Sequence, residues 1–301
     1  HHDNPPKMID LEGIKAFIAV ADTRSFSVAA GRLHLTQPAV SKRIALLENQ
    51  MKVRLFDRIG RTVTLTEAGR ELEPRAKLIL TSIEDTQRAI RNLNGAVTGQ
   101  LALATSHHIG LWRLPDILRR YAELYPEVNL DLRFMDSEIA HEQIVQGNLE
   151  LGIITLAPTP HNRLTSIRLW EDELKFVTAP NHPLSSATEI TLDALSQYPA
   201  ILPDMSTFTG RIVKQLFEKE QLSLNISMST NYLETIKMLI GVGLGWSVLP
   251  KTMLDSSLQI LDLNSVEIHR DLGVIHHVHR TLSNAARAFL DLLEREQPNR
   301  H

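Results

Sequence analysis

The sequence predicts a multidomain α+β chain: an N-terminal winged helix-turn-helix, a long linker helix and a C-terminal α/β body. Three patterns predict it. Two short helical stretches run into a third across a tight turn, a heptad seam follows, and strand-like and helix-like segments then alternate to the end. The 301 residues suit about two domains, and 43% hydrophobic with 22% charged residues is a folding composition. No apolar run reaches the roughly 18 residues of a membrane span, and residues 1–7 lack the apolar core of a secretory signal. Cysteine is absent, which excludes disulfide scaffolds, thiolate metal sites and cysteine nucleophiles. The expectation is a cytoplasmic chain, away from membranes, whose native start is Met8.

The head is expected over 8–66. Leu11, Ile14, Phe17, Ile18 and Ala21 follow helical spacing. The second helix is expected from Ser27 as N-cap, with Phe26 just outside it, through Ala29 and Ala30 to Leu33. After a turn at His34 and Leu35, the third helix starts at Thr36 or Gln37. Pro38 falls in its first turn, where a missing N–H costs nothing. Val40, Ile44, Leu47 and Met51 then face inward at steps of four, three and four. Two β-leaning stretches flank Gly60, so Leu55 to Leu65 is a hairpin, or wing, with Arg58 and Arg61 near its tip.

Thr66 caps a long helix from about Glu67 to Leu93, inside a linker of 67–95. Leu72, Ala76, Ile79, Ile83, Thr86, Ile90 and Leu93 repeat at steps of 4-3-4-3-4-3. A solitary core helix drifts toward a period of about 3.6, so this seam favours pairing with a second helix; ordinary core packing is the alternative. Pro74 bends the first turns. Beyond Ala96–Gly99, strands are expected at 100–105, 128–134, 151–156, 174–178, 200–202 and 246–249. Helices are expected at 109–125, 137–146, 211–219, 233–240 and 284–295. The alternation implies a parallel sheet covered by helices.

Charge divides the chain. Residues 1–95 carry 15 Lys/Arg against 11 Asp/Glu, whereas 96–301 carry 17 against 24. From Arg24 to Arg61 there are eight basic residues and two acids, Glu48 and Asp57. A basic head on an acidic body points to a polyanion at one end, with an ordinary solvated face as the bland alternative. In a helix-turn-helix the third helix enters the major groove. With Val40, Ile44 and Leu47 inward, Gln37, Pro38, Ser41 and Lys42 face out, where Gln pairs with adenine and Lys with guanine or phosphate. Ser27 and Thr36 stand at helix starts beside that surface. Arg58 and Arg61 suit phosphates or the minor groove.

The run Phe17-Ile18-Ala19-Val20-Ala21, then Ser25-Phe26-Ser27-Val28-Ala29-Ala30, then Leu35-Thr36-Gln37-Pro38-Ala39-Val40-Ser41-Lys42, resembles the winged helix-turn-helix of LysR-type transcriptional regulators. So do Leu47-Glu48, Leu55-Phe56-Asp57-Arg58 and Leu65-Thr66-Glu67-Ala68-Gly69. The match is dense from Leu11 to Gly69 and looser beyond, through Leu149-Glu150-Leu151-Gly152-Ile153 and Val242 to Pro250. Lys42 stands where arginine is more frequent.

The resemblance implies a periplasmic-binding-protein-like effector domain over 97–298. Subdomain I would span about 97–172 and 272–298, and subdomain II about 173–271. Double-stranded DNA with an interrupted dyad, a second copy in a homodimer or homotetramer, RNA polymerase and an unidentified small-molecule effector are the implied partners. On the family's pattern Ser106 and Thr155 line one cleft wall, and Ser206, Thr207, Phe208 and Thr209 the other, with Trp246 nearby. Hydroxyls and main-chain N–H groups there suit a small anion or carboxylate, while Phe208 and Trp246 would admit an apolar portion. His107, where the first body strand hands over to a helix, is a candidate pH-sensitive contact.

No cofactor is implied. His269, His276, His277 and His279 lack the carboxylate or thiol spacing of a metal site and read as exposed strand residues. No nucleophile elbow, phosphate loop or His-Glu-x-x-His pattern occurs, so catalysis is not expected. The reading is a ligand-biased DNA switch whose effector shifts a tetramer between DNA-bending states. A solute-binding protein that merely retains a DNA head is the alternative from another class, and binding to duplex separates the two.

Overall fold

The computed structural model describes residues 8–59 and 62–296. Two compact units divide the chain between Arg91 and Asn92. Among the described residues, no helix is long and apolar enough to cross a membrane.

The first unit opens with α1 (Leu11–Thr23), capped by Asp10, whose carboxylate accepts from the Glu12 N–H, and stopped at Arg24 in the left-handed region. α2 (Phe26–Arg32) begins earlier than the sequence suggests. Its N-cap is Ser25, whose hydroxyl accepts from Val28 N–H, and Ser27 lies exposed inside the first turn. The reason is Phe26, which is buried and stacks edge-on against Phe56, so it must join the helix rather than precede it. α3 (Gln37–Met51) is capped by the Thr36 hydroxyl, with Pro38 in the first turn.

β1 (Phe56–Ile59) and β2 (Thr62–Leu65) form the wing, in register Phe56↔Leu65 and Asp57↔Thr64. Gly60 and Arg61 lie outside the described residues, and of Arg58 only the backbone is described. Three contacts fix the wing. Glu48 accepts from Leu55 N–H at 2.7 Å, the Thr66 hydroxyl donates to the Arg54 carbonyl at 2.7 Å, and Phe56 packs 5.3 Å from Phe17.

α4 (Glu67–Asn92) starts under the Thr66 hydroxyl, which accepts from Gly69 N–H at 3.0 Å. A Cβ at Gly69 would stand 2.2 Å from the Leu55 carbonyl oxygen, so only glycine lets the helix meet the strand there. Leu72 and Ala76 enter the head core. The later seam positions Ile79, Ile90 and Leu93 are exposed in the single chain.

The second unit contains β3 (Gly99–Thr105), α5 (His107–Trp112), α6 (Pro115–Leu124), β4 (Val128–Phe134), α7 (Ser137–Val145), β5 (Leu151–Thr155) and β6 (Leu164–Thr178). It continues with α8 (Leu192–Ser196), β7 (Ala200–Leu202), α9 (Phe208–Lys219), β8 (Ile226–Ser229), α10 (Leu233–Gly241), β9 (Ser247–Pro250), β10 (Gln259–Leu261), β11 (Ile268–His277) and α11 (Asn284–Arg295). The expected single helix over 109–125 is two, because Pro115 starts a new helix after Leu114.

The sheet is mixed rather than parallel, in the order β10-β6-β11-β5-β3-β4, with β9 also on β6. β3 runs parallel to β4 and β5, but β11 runs antiparallel to both β5 and β6. β7 and β8 form a separate parallel pair. Strand β6 extends ten residues before the predicted 174–178 segment, where charged residues on one side hide its pattern. Four apolar clusters result among the described residues of this unit. Leu103, Tyr121, Ile153, Val274 and Phe289 belong to one and Phe176, Val213, Phe217, Trp246 and Val248 to another, while smaller ones gather around Ile236 and Leu249 and around Ala140 and Ile154. The long strands β6 and β11 contribute to both of the larger clusters. Their register shifts between Leu272 and Gly273, where a Cβ would lie 2.1 Å from the Ile167 carbonyl oxygen.

Candidate functional site

In the first unit, the α3 residues opposite Val40, Ile44 and Leu47 are free. Gln37, Pro38 and Lys42 are exposed and Ser41 is half-buried, while Thr36 spends its hydroxyl on Ala39 N–H. An open groove of about 1090 Å³ lies between α3 and β1, with Ser41, Ala45, Asn49, Lys52 and Arg54 along it. Arg43 is held by Glu12 at 2.9 Å. The side chains of Lys42, Lys52 and Arg54 make no ion pair among the described residues, which leaves three cations available to an outside anion. Lys52 and Arg54 belong to the basic stretch of the sequence but lie after α3, where the groove-entry argument does not reach them.

In the second unit, a cavity of about 50 Å³ opens at the ends of β3, β4 and β5. Its wall carries Ser106, His107 and His108 from the β3–α5 turn, Asp136 to Glu138 from the start of α7, and Thr155 from β5. Thr207, Thr209, Asn231 and Arg270 close it from the other side. The position agrees with the rule that ligands sit beyond the carboxyl ends of sheet strands.

Buried charge organises the cavity. Arg270 and Asp172 face each other across β11 and β6, with Arg270 Nη2 at 2.9 Å from Asp172 Oδ2. Arg113 Nη2 reaches the other carboxylate oxygen at 2.6 Å, and Arg270 Nη1 donates to Thr209 Oγ1 at 3.1 Å. Burial alone would raise the Asp172 carboxyl, but the two guanidiniums hold it below the ordinary value. His108 lies against this pair, 4.0 Å from Asp172 and 3.6 Å from Glu234. Burial, helped by Arg270, pushes its imidazole down to about 4, so the ring is neutral at pH 7. Among the described residues, neither ring nitrogen makes a hydrogen bond.

Several bonds join the segment 107–138 to the segment 208–234. Asn231 donates to Asp136 at 2.7 Å and Trp112 donates to Glu234 at 3.0 Å. The Glu138 carboxylate accepts from the Phe208 N–H. Burial raises the Glu138 carboxyl above its usual range, and the Phe208 N–H opposes that rise.

The structure brings together Ser106, His107, Thr155, Thr207 and Thr209. It places three other expected cleft residues elsewhere. Trp246 is fully buried in the cluster it shares with Phe176 and Val213, stacked 5.6 Å from Phe217, with its indole N–H donating to the Leu195 and Tyr198 carbonyls. Ser206 is exposed and bonds to Asp204. Phe208 turns its ring to His141 and Arg211, and only its N–H faces the cleft through Glu138. The apolar part of the wall therefore comes from Pro203 and Leu233 and not from Phe208 and Trp246. His107 packs against Phe134 and Tyr232, whereas the histidine buried among charges is His108.

The sequence reading missed Asp136, Glu138, Asp172, Asn231 and Arg270. Asp136 follows a strand as Ser106 does, so the strand-end rule pointed to it. Asp172 and Arg270 meet only through antiparallel register. His269 pairs with Glu171 at 3.3 Å, and His277 accepts from His279 N–H. No group of three or more potential metal-binding side chains occurs among the described residues.

Comparison with known proteins then separates the two units by family. Residues 11–70 match the bacterial regulatory helix-turn-helix protein of the lysR family, and residues 94–298 match the LysR substrate binding domain. The chain is 32% identical over 288 residues to an Escherichia coli K12 protein described as the uncharacterized HTH-type transcriptional regulator YeiE, covering 94% of this chain and 96% of that one. A full-length OxyR variant from Pseudomonas aeruginosa has the same fold, with a TM-score of 0.65 at 20% identity over 96% of this chain and 98% of that one. So does full-length CbnR solved with its target DNA, with a TM-score of 0.61 at 20% identity over 95% and 99%. The chain belongs to the LysR family of transcriptional regulators, which are DNA-binding proteins with an effector-binding domain and not enzymes.

Proposed function

We propose that this regulator binds an interrupted dyad in promoter DNA as a paired molecule and that a small polar effector in the inter-subdomain cleft changes how it bends that DNA. One observation carries the reading: α3 buries Val40, Ile44 and Leu47 and leaves Gln37, Pro38 and Lys42 exposed on its first turns. Those turns enter the major groove, Gln37 and Lys42 read base edges, and Ser41 assists. Ser27, Thr36 and the wing arginines Arg58 and Arg61 position the duplex through phosphates or the minor groove.

The exposed seam residues Ile79, Ile90 and Leu93 support a paired α4, because apolar side chains repeating every heptad gain by meeting a second helix. Two heads at a fixed spacing then select two half-sites. Assembly to a tetramer, contact with RNA polymerase and action in the cytoplasm complete the reading. The effector shifts the assembly only as far as its affinities for the two states differ. The small polar cavity suits a compact anion or carboxylate, held by Ser106, His107, Thr155, Thr207 and Thr209.

The test is footprinting of the full chain on DNA upstream of its own gene, with sedimentation on the same samples. The wild type protects two half-sites as a dimer or tetramer. Ile83→Lys with Ile90→Lys gives a monomer that binds roughly a hundred-fold more weakly, because the second head no longer benefits from effective concentration. A wild-type monomer that protects no DNA overturns the reading.

A further inference from the structure

The cleft contains a carboxylate in an unusual position. Glu138 lies in the first turn of α7 in subdomain I, yet its Oε1 accepts from Phe208 N–H, the first N–H of α9 in subdomain II. The first N–H groups of a helix lack intrahelical partners and carry the positive end of the helix dipole, so they favour an anion. At α9 the Thr207 hydroxyl satisfies Gly210 N–H at 2.9 Å, and Glu138 supplies the anion to Phe208. One side chain therefore bridges the N-terminal turns of two helices on opposite sides of the cavity.

A second feature of the same cavity points to a ligand. His108 is 4% exposed, lines the space and, among the described residues, has no hydrogen bond at either ring nitrogen. An imidazole buried without a hydrogen bond is destabilising until a visiting group bonds it. The other charges facing the space do not replace Glu138. Asp136 is engaged by Asn231, Asp172 by Arg270 and Arg113, and Glu234 by Trp112.

We infer that Glu138 is the cleft's own stand-in for its effector, and that the effector is a small oxyanion or carboxylate that displaces Glu138 from Phe208 N–H. This rests on the reading of the cleft as the effector site. Glu138 then sets specificity by competition. A neutral ligand has nothing to exchange for the lost carboxylate, and a cation leaves the first N–H of α9 without an anion. A compact anion takes over the α9 N–H and reaches the unbonded His108.

Calorimetric titration of sodium sulfate and sodium acetate into the full chain, at pH 7 and fixed ionic strength, tests this. Glu138→Gln removes the competing charge, and at least one of the two anions binds ten-fold or more tighter than to wild type. Glu138→Asp, whose shorter acid falls back from α9, gives a smaller gain and stands in for Glu138→Gln if that variant misfolds. Glu142→Gln removes an equal charge one turn further along α7, on an exposed side chain bonded to Gln146, and leaves affinity unchanged. The inference is overturned if neither Glu138 variant gains affinity for either anion, or if Glu142→Gln gains as much. Duplex binding by the same preparations separates the two ideas: retained DNA binding without an anion gain ends the inference alone, while a wild type that ignores duplex ends the regulator reading.

Discussion

The first unit and the cleft of the second keep their polar groups in opposite places. Every buried polar or charged residue among those described, from Thr105 to Arg270, belongs to the second unit. The first unit buries apolar side chains around Phe17, Phe26 and Phe56 and leaves Gln37, Lys42, Lys52 and Arg54 outside. A surface that meets a polyanion gains by keeping its cations solvated until contact. A pocket that selects a small molecule must instead fix its charges where water does not screen them. The contrast between packing inside one unit and ion pairing inside the other can be broken by experiment.

The largest effects come from removing the anchor of each unit. Phe17→Ala leaves a void beside Phe56 and costs about 3–5 kcal/mol, read as lost hydrogen-exchange protection in peptides of α1 to β2 with the second unit unaffected. Asp172→Asn leaves the buried Arg270 and Arg113 without their counter-charge and costs a similar ~3–5 kcal/mol, confined to peptides of β6, β11 and α5. Equal loss in both units from either change would contradict the separation.

Acid comes next and acts on the second unit. The unfolded chain protonates His108 near the ordinary 6.5, but the folded ring resists until about 4. The unfolded state thus binds more protons in that window, and stability, full above 6.5, falls toward 4 by about 3 kcal/mol. The depressed Asp172 carboxyl adds a further loss only below the ordinary carboxylate value. Denaturant unfolding of the second unit across pH 7 to 4 measures this, and His108→Asn flattens it. An unchanged slope would remove His108 as its source. The smallest effect is Thr36→Ala, which removes the cap of α3 and costs about 1 kcal/mol, seen as faster exchange at Ala39 with the rest of the first unit intact.

These differences also explain what the sequence made legible. α3 was readable because its signals are local: Thr36 as cap, Pro38 in the first turn, and the Val40, Ile44 and Leu47 spacing. The start of α2 was not, because Ser25 and Ser27 both suit a cap and only the distant Phe56, by burying Phe26, decides between them. The alternation in the body gave helices and strands, but β11 reverses direction between β5 and β6, and nothing local to either strand signals that. In the cleft, Ser106 and Thr155 follow from strand ends. Asp172 and Arg270 are 98 residues apart and become neighbours only through β6–β11 register. Trp246 misled because flanking glycines suggested access, whereas the size of its ring places it against Phe176 and Phe217.

The most direct measurement is the affinity of the full chain for its own upstream duplex and for a scrambled duplex, titrated with salt, for wild type, Gln37→Ala and Lys42→Ala. Exposed cations on α3 and beside the wing predict a steep loss of affinity with salt, about 0.9 in log–log slope for each phosphate neutralised. Gln37→Ala loses about 1–3 kcal/mol of preference for the specific duplex with the slope retained. Lys42→Ala either lowers the slope by about one unit, if it meets phosphate, or loses preference as Gln37→Ala does, if it reads guanine. Binding that ignores salt, or a preference that survives both substitutions unchanged, would contradict the assignment of α3 as the element that reads DNA.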